Sequence, residues 1–274
     1  MRCQWTKLLS ILPDWMKGEI DRIGKESMQE LRLRLSFPPE MISGTGSIFL
    51  SGTVLEADLR FCVNTASRYS PWAASTISHG FVTAPGGHRI GLCGEVVTVN
   101  GQISGIRNIT SLCIRVAREI PGIAARLPVS GSILILGAPG WGKTTLLRDL
   151  VRRDSEQGSH ICVVDERGEL FPDHFQAGSR TDVMTGCTKA EGIPMLLRTM
   201  CPDCIAMDEI TEPEDTAALL QAAGCGVRMM ATAHAGSLED FHRRPVYQPI
   251  WENKIFQNVV ILRPNKTWYL ERMA

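Results

Sequence analysis

The chain of 274 residues carries no surplus of either charge: lysine plus arginine number 29, and aspartate plus glutamate number 29. That balance supplies no global field for gripping nucleic acid or an anionic membrane. Long apolar runs are lacking too. Nothing approaches the roughly 18 consecutive apolar residues of a membrane-spanning helix, and the uncharged stretch 69–88 is full of Ser, Thr, Gly and Pro. The first residues include Arg2 and Lys7 but no long apolar run, since Pro13 and Asp14 interrupt early. No signal peptide is expected there, and a soluble cytoplasmic protein is. A disulfide framework is not indicated, because the nine cysteines are odd in number and scattered through apolar runs, as buried free thiols are. Cys201-Pro202-Asp203-Cys204 is a lone C-x-x-C with no second pair at zinc spacing. No internal repeat is present. What remains is a globular composition, 44% hydrophobic and 21% charged, with length for one large domain or two ordinary ones.

Against this background one octet stands out. Residues 137–144 read Gly137-Ala138-Pro139-Gly140-Trp141-Gly142-Lys143-Thr144 and match G-x-x-x-x-G-K-[ST] at every fixed position. The apolar run Ser132 to Leu136 precedes it, and Thr145-Leu146-Leu147-Arg148-Asp149-Leu150-Val151 follows with apolar residues at helical spacing. Strand, glycine loop and helix form the context a phosphate-binding loop requires. The glycines allow a tight turn whose N–H groups point inward, and the helix adds the positive end of its dipole. Lys143 then reaches the β- and γ-phosphates, and the Thr144 hydroxyl is expected to ligate Mg²⁺. Residues 137–145, Thr145 included, are the expected binding set for a nucleoside triphosphate.

Two further strands end in acids. Asp203-Cys204-Ile205-Ala206-Met207-Asp208-Glu209 has the Walker B pattern, an apolar strand whose carboxyl end delivers acids to the crevice where open α/β sheets bind ligands. Asp208 is expected in the Mg²⁺ shell, with Glu209 orienting or deprotonating the attacking water. Val163-Val164-Asp165-Glu166-Arg167-Gly168-Glu169 is the second; its bland reading is a solvated turn, and its functional one lets Glu166 or Glu169 share the water-positioning task. His234 follows the strand Val227 to Thr232 and could sense the γ-phosphate or developing charge. Arg89, Arg107, Arg115 and Arg118 cluster ahead of the loop. They either solvate a strand face or bring one or two charge-neutralising fingers to a nucleotide, in cis or from a neighbouring subunit.

The two halves of the chain read differently. In the first, a helix is expected over 14–28, a half-buried strand over 31–35 from its period of two, and shorter strands at 47–50, 80–84, 88–98 and 102–106. Asn100-Gly101 makes a hairpin turn between the last two, and a helix lies near 57–70. In the second, strands at 132–136, 160–164, 204–207, 227–232 and 258–262 alternate with helices near 143–156, 189–200 and 213–223. Their continuous aliphatic character suits a mainly parallel sheet buried on both faces. The fold class is therefore α/β, a RecA-like P-loop domain over 132–274. A smaller α+β domain over 1–118 precedes it, joined by a Pro/Gly-bearing linker, 119–131.

Taken together these motifs resemble the secretion ATPases of the type II and type IV systems, which carry a Walker A loop, an acidic box, Walker B and a histidine box in that order. The chain is more similar still to the stage III sporulation protein AA family. The stretches that carry the resemblance include Glu30-Leu31-Arg32-Leu33-Arg34, Gly87-His88-Arg89-Ile90-Gly91-Leu92, Ile114-Arg115-Val116-Ala117-Arg118-Glu119, Val164-Asp165-Glu166-Arg167, Arg198-Thr199-Met200-Cys201-Pro202-Asp203 and Ala231-Thr232-Ala233-His234. The resemblance covers about 30–262. It implies ATP with Mg²⁺ as ligands and a homohexameric ATPase on the mother-cell side of the channel between mother cell and forespore. It also implies peripheral contact with the membrane proteins of that channel, and that Arg89 and Arg115 approach phosphate from the first domain. Thr211 stands where the family usually has glycine. Two other classes remain in view: a nucleotide-dependent switch with little turnover, and a RecA-like nucleic-acid motor. The neutral charge and the lack of basic, aromatic-interleaved stretches count against the motor.

Overall fold

Alternation of leucine with arginine at 31–34 commits the first half of the chain to a sheet with one wet face. In the computed structural model, which describes residues 2–67, 80–128, 130–172 and 175–273, the chain divides into two compact units, Met1–Arg118 and Glu119–Ala274. The first unit holds a six-stranded sheet in the order β3-β2-β1-β6-β5-β4. Its strands are β1 (Met28–Arg34), β2 (Glu40–Ser43), β3 (Gly46–Phe49), β4 (Phe81–Ala84), β5 (His88–Val99) and β6 (Gln102–Arg115), every neighbouring pair antiparallel. Leu31 and Leu33 are fully buried. They pack in one cluster with Ile90 and Ile114 and with Leu8, Ile20 and Leu59, which come from helices α1 (Trp5–Ser10), α2 (Asp14–Gly24) and α3 (Glu56–Ala66). His88 is buried there as a neutral ring. Its Nδ1 accepts the Ala117 N–H at 3.1 Å, which leaves Nε2 to donate to the Gln4 carbonyl at 3.2 Å, and burial pushes its pKa down.

Three elements of this unit differ from their sequence expectation. The helix expected over 14–28 stops at Gly24, where a side chain would come within 3.2 Å of Met41 and Trp5, and Met28 already belongs to β1. Strand β6 runs on to Arg115 instead of ending near 106, because pairing with β5 and β1 carries it through the polar residues Asn108, Thr110 and Ser111. The helix near 57–70 ends at Ala66, and its last three expected residues lie outside the described ones.

The second unit is built on seven strands in the order β13-β12-β7-β11-β10-β8-β9. They are β7 (Ile133–Leu136), β8 (Ile161–Asp165), β9 (Thr181–Thr185), β10 (Cys204–Glu209), β11 (Arg228–Ala233), β12 (Asn258–Leu262) and β13 (Trp268–Arg272). All neighbours run parallel except β13, which is antiparallel to β12. Both faces are covered, which explains the unbroken aliphatic runs. Ile133, Ile135 and Val163 pack on one side with Leu146, Leu147 and Leu150 of α4 (Lys143–Glu156). On the other side Leu134, Leu136, Ile205 and Met207 meet Ile193 of α5 (Lys189–Thr199) and Leu219 of α6 (Pro213–Gly224). The edge strand β9, with its polar sequence and partly exposed residues, offers no apolar run to announce it. After β11 come α7 (Leu238–Arg243), a 3₁₀ turn at Pro245–Tyr247 and α8 (Gln248–Glu252).

Residues 119–128 pack on α4. Gly122 and Ala124 donate backbone N–H groups to Asp149, and the Arg153 guanidinium donates to the carbonyls of Ala124, Leu127 and Pro128. No helix among the described residues is long and apolar enough to cross a membrane.

Candidate functional site

The loop after β7 is shaped by glycines that other residues could not replace without strain. Gly140 and Gly142 have φ of 77° and 103°, in the left-handed region that side chains disfavour. A Cβ on Gly137 would stand 3.1 Å from Leu262. Gly142 directly precedes Lys143, the first residue of α4, so the helix N-terminus opens onto the loop. The Lys143 side chain folds back over that loop and is almost fully buried. It donates to the Gly137 carbonyl at 2.9 Å, to the Ala138 carbonyl at 3.4 Å and to His234 Nδ1 at 3.0 Å. Burial pulls its ammonium below the ordinary lysine range, with Glu209 and Asp208 working against that pull.

His234, one residue beyond β11, turns its other nitrogen to Glu209: Nε2 lies 2.7 Å from Oε1. An ammonium can only donate, so Nδ1 accepts from Lys143 and Nε2 carries the proton it shares with the carboxylate. The sheet order makes this chain of contacts possible, since β11 lies between β7 and β10. The end of β10 is further held by Tyr247, whose hydroxyl donates to the Ile210 carbonyl at 3.2 Å while its ring stacks on Phe241.

Thr144 donates its hydroxyl to Asp208 Oδ1 at 3.4 Å. Burial, followed by the charges of Glu169, Asp165 and Glu209, pushes the Asp208 carboxyl up to about 6, and Lys189 pulls the other way. A hydroxyl beside a desolvated carboxylate is an all-oxygen donor set of the kind Mg²⁺ takes, and nothing lies within 4 Å of where Gly140 and Gly142 would carry a Cβ. The residues present fit a magnesium-bound triphosphate.

The raised carboxyl has a stability consequence. Asp208 is raised from 3.8 to about 6 in the folded protein, so the native state binds its proton more tightly. The stability this contributes is present below about pH 4 and lost as pH rises through 6, a swing of about 3 kcal/mol at 1.36 kcal/mol per unit. Without nucleotide or metal, Asp208→Asn is therefore expected to raise the melting temperature at pH 8 and to leave it nearly unchanged at pH 4. Thermal melts at the two pH values test this, and an equal shift at both would remove Asp208 as the source.

The acidic loop after β8 divides its labour. Asp165 is buried and accepts the backbone N–H groups of Glu169, Leu170 and Phe171 at 2.8, 2.9 and 2.9 Å, so it folds the loop. Arg148 of α4 clamps the same loop, donating to the carbonyls of Leu170 and Glu169. Glu166 projects further and receives Lys189 Nζ at 2.7 Å. With Glu169, Asp208, Glu209 and His234 it lines a cavity of about 570 Å³. Sequence reasoning named the loop but missed Arg148, Lys189 and Asp215. Arg148 and Asp215 sit on helices whose spacing marks them only as polar positions, and Lys189 begins another.

Arg89 and Arg115 lie on the first unit's sheet, directly opposite each other in the β5–β6 register. Arg115 Nε is 3.5 Å from Glu30, and Arg89 lies over the Phe81 ring at 4.1 Å. The other two arginines have partners within the same unit: Arg107 pairs with Glu95 at 2.6 Å, and Arg118 donates to the Lys25 and Met28 carbonyls. In the C-x-x-C stretch Cys204 is buried and its thiol pushed up to about 12, opposite to a reactive thiolate.

A family model described as sporulation stage III, protein AA matches residues 7–268. Stage III sporulation protein AA of Bacillus subtilis (strain 168) is 37% identical over 277 residues, an alignment spanning 93% of this chain and 90% of that protein. Among solved structures, the Legionella pneumophila ATPase DotB superposes with a TM-score of 0.64 at 17% identity, covering 95% of this chain and 80% of that one. The pilus retraction motor PilT, solved with bound ADP, gives 0.64 at 17% identity over 96% and 81%. The fold is that of the secretion ATPases, α/β with a RecA-like domain.

Proposed function

The chain belongs to the stage III sporulation protein AA family, and from that premise we propose that it is a magnesium-dependent ATP-hydrolysing motor serving the channel between mother cell and forespore. The observation that carries this is the unbroken contact chain Lys143–His234–Glu209, at 3.0 and 2.7 Å. It joins the phosphate lysine to a carboxylate at the sheet's carboxyl edge. Lys143 and the backbone N–H groups of the loop, to which Pro139 adds none, bind the β- and γ-phosphates, Thr144 and Asp208 would hold the metal, and Glu209 orients and deprotonates the attacking water. Held there, magnesium would supply charge neutralisation at the phosphate oxygens. When Lys143 turns to phosphate, His234 Nδ1 loses its donor and can meet the γ-phosphate only by taking up a proton and donating it, while Nε2 keeps its hold on Glu209. ADP bound to a motor of the same fold supports the nucleotide reading.

In this reading a transition state gathering negative charge also needs cations from outside the crevice. Arg89 and Arg115 suit that task. They stand directly opposite each other in the β5–β6 register, so one anion could meet both. The working form is a homohexamer on the cytoplasmic, mother-cell side, bound peripherally to membrane proteins of the channel; heterologous contacts that close on themselves give such rings. ATP with Mg²⁺ is accordingly expected to promote the hexamer in native mass spectra, and phosphate release per subunit to rise with protein concentration. Arg115→Ala should lower turnover more than ATP affinity. A protein that stays monomeric at every concentration with full turnover sinks the ring, and one that releases no phosphate as a hexamer sinks the ATPase.

A further inference from the structure

Lysine at the first position of a helix faces the positive end of the helix dipole, and burial of its ammonium adds a desolvation cost. Lys189 bears both. It is the first residue of α5, whose N-terminus is already closed by the Thr188–Glu191 capping box, and it is 7% exposed. A local preference broken in this way needs a tertiary reason. The reason on view is a pair of carboxylates from two other elements: Glu166 Oε2 at 2.7 Å and Asp215 Oδ2 at 3.4 Å.

Each partner controls a segment of the candidate site. Glu166 follows β8 in the acidic loop. Asp215 is buried in the first turn of α6, where the same Oδ2 accepts the N–H groups of Thr211 and Glu212 at 3.0 and 3.2 Å and the Thr211 hydroxyl at 3.3 Å. Thr211 is two residues beyond Glu209, so Asp215 fixes the turn on which Glu209 ends. Among the described residues lining the cavity, which include Glu166, Glu169, Asp208 and Glu209, Lys189 and Arg167 are the only lysine or arginine, and Arg167 is exposed.

We propose that Lys189 is a positioning residue for hydrolysis: its ammonium ties Glu166 to Asp215, holding the acidic loop and the turn after Glu209 in the one arrangement from which Glu209 acts on water. The inference rests on the ATPase reading above. Without the ammonium, the amides still cap Asp215 and the turn stays folded. Glu166, however, loses its cation in a cavity that Glu169, Asp208 and Glu209 also line, and it moves. The phosphate cradle of 137–144 is untouched, so the loss falls on turnover and not on nucleotide binding.

A double-mutant cycle on the full chain separates this from general damage. Lys189→Met is expected to lower kcat for ATP at least tenfold with KM changed less than threefold. In a Glu166→Gln background, where the loop side chain that the ammonium holds is already neutral and Asp215 keeps its amide and hydroxyl donors, the same substitution should change kcat less than threefold. If Lys189→Met does not fold, Lys189→Gln takes its place in the cycle. Unchanged kcat in the single variant, or an equal loss in both backgrounds, overturns the proposal. Wild-type turnover is measured first: its absence sinks the ATPase reading, whereas normal turnover with an indifferent Lys189 sinks only this inference.

Discussion

A Glu209→Gln protein is expected to bind ATP no more weakly than the wild type while hydrolysis falls by about two or more orders of magnitude, the usual scale for a general base. The amide keeps the length and planarity of the carboxylate and still accepts the His234 Nε2–H, now 2.7 Å from Oε1, so the histidine and Lys143 hold their places. What disappears is the capacity to take a proton from water. Equilibrium nucleotide binding and single-turnover phosphate release, run on the same preparation, read the two effects separately. Should hydrolysis persist, the role passes to Glu166 or Glu169, and the same substitution at each would be the next experiment.

Lys143→Ala acts one step earlier. It removes the cation that contacts the loop carbonyls and His234, and with it the charge-assisted contacts expected to hold the β- and γ-phosphates. Bonds of that kind contribute roughly 1.5–3 kcal/mol each, so ATP affinity should fall about 100-fold or more. The folded state should tolerate the change, because the ammonium it removes was desolvated and pulled below its ordinary range by burial. Calorimetric titration with ATP and Mg²⁺, beside a thermal melt, makes the comparison. Unchanged affinity in a folded Lys143→Ala protein would falsify the phosphate-loop assignment.

The elements most legible in the sequence were those whose physics is local. Gly140 and Gly142 adopt the positive φ that a tight phosphate loop demands, and helix 143–156 begins at the lysine that the octet predicts. The strands expected at 132–136, 204–207 and 258–262 announced themselves by largely aliphatic runs that are buried. Edge strand β9, the short strand β2 between β3 and β1, and the second half of β6 did not. An edge strand buries little, and the polar residues late in β6 are held by their neighbours' hydrogen bonds instead of by a core-facing stripe.

The sequence by itself determined the kind of chemistry on offer: a glycine loop with its lysine and threonine, two strand-terminal acid pairs and a histidine, each read from residues adjacent in the chain. Only the tertiary structure decided how those groups meet. It set Asp165 to folding a loop and left Glu166 and Glu169 facing the cavity. It paired Arg118 with carbonyls 90 and 93 residues away, and brought His234 onto both Lys143 and Glu209 by laying β11 between β7 and β10. It also buried Lys189 between two carboxylates that no spacing in the sequence connects. The physical reason is that conformation and period are properties of neighbouring residues, whereas the partner of a buried charge is set by the order in which strands far apart in the chain come to lie side by side.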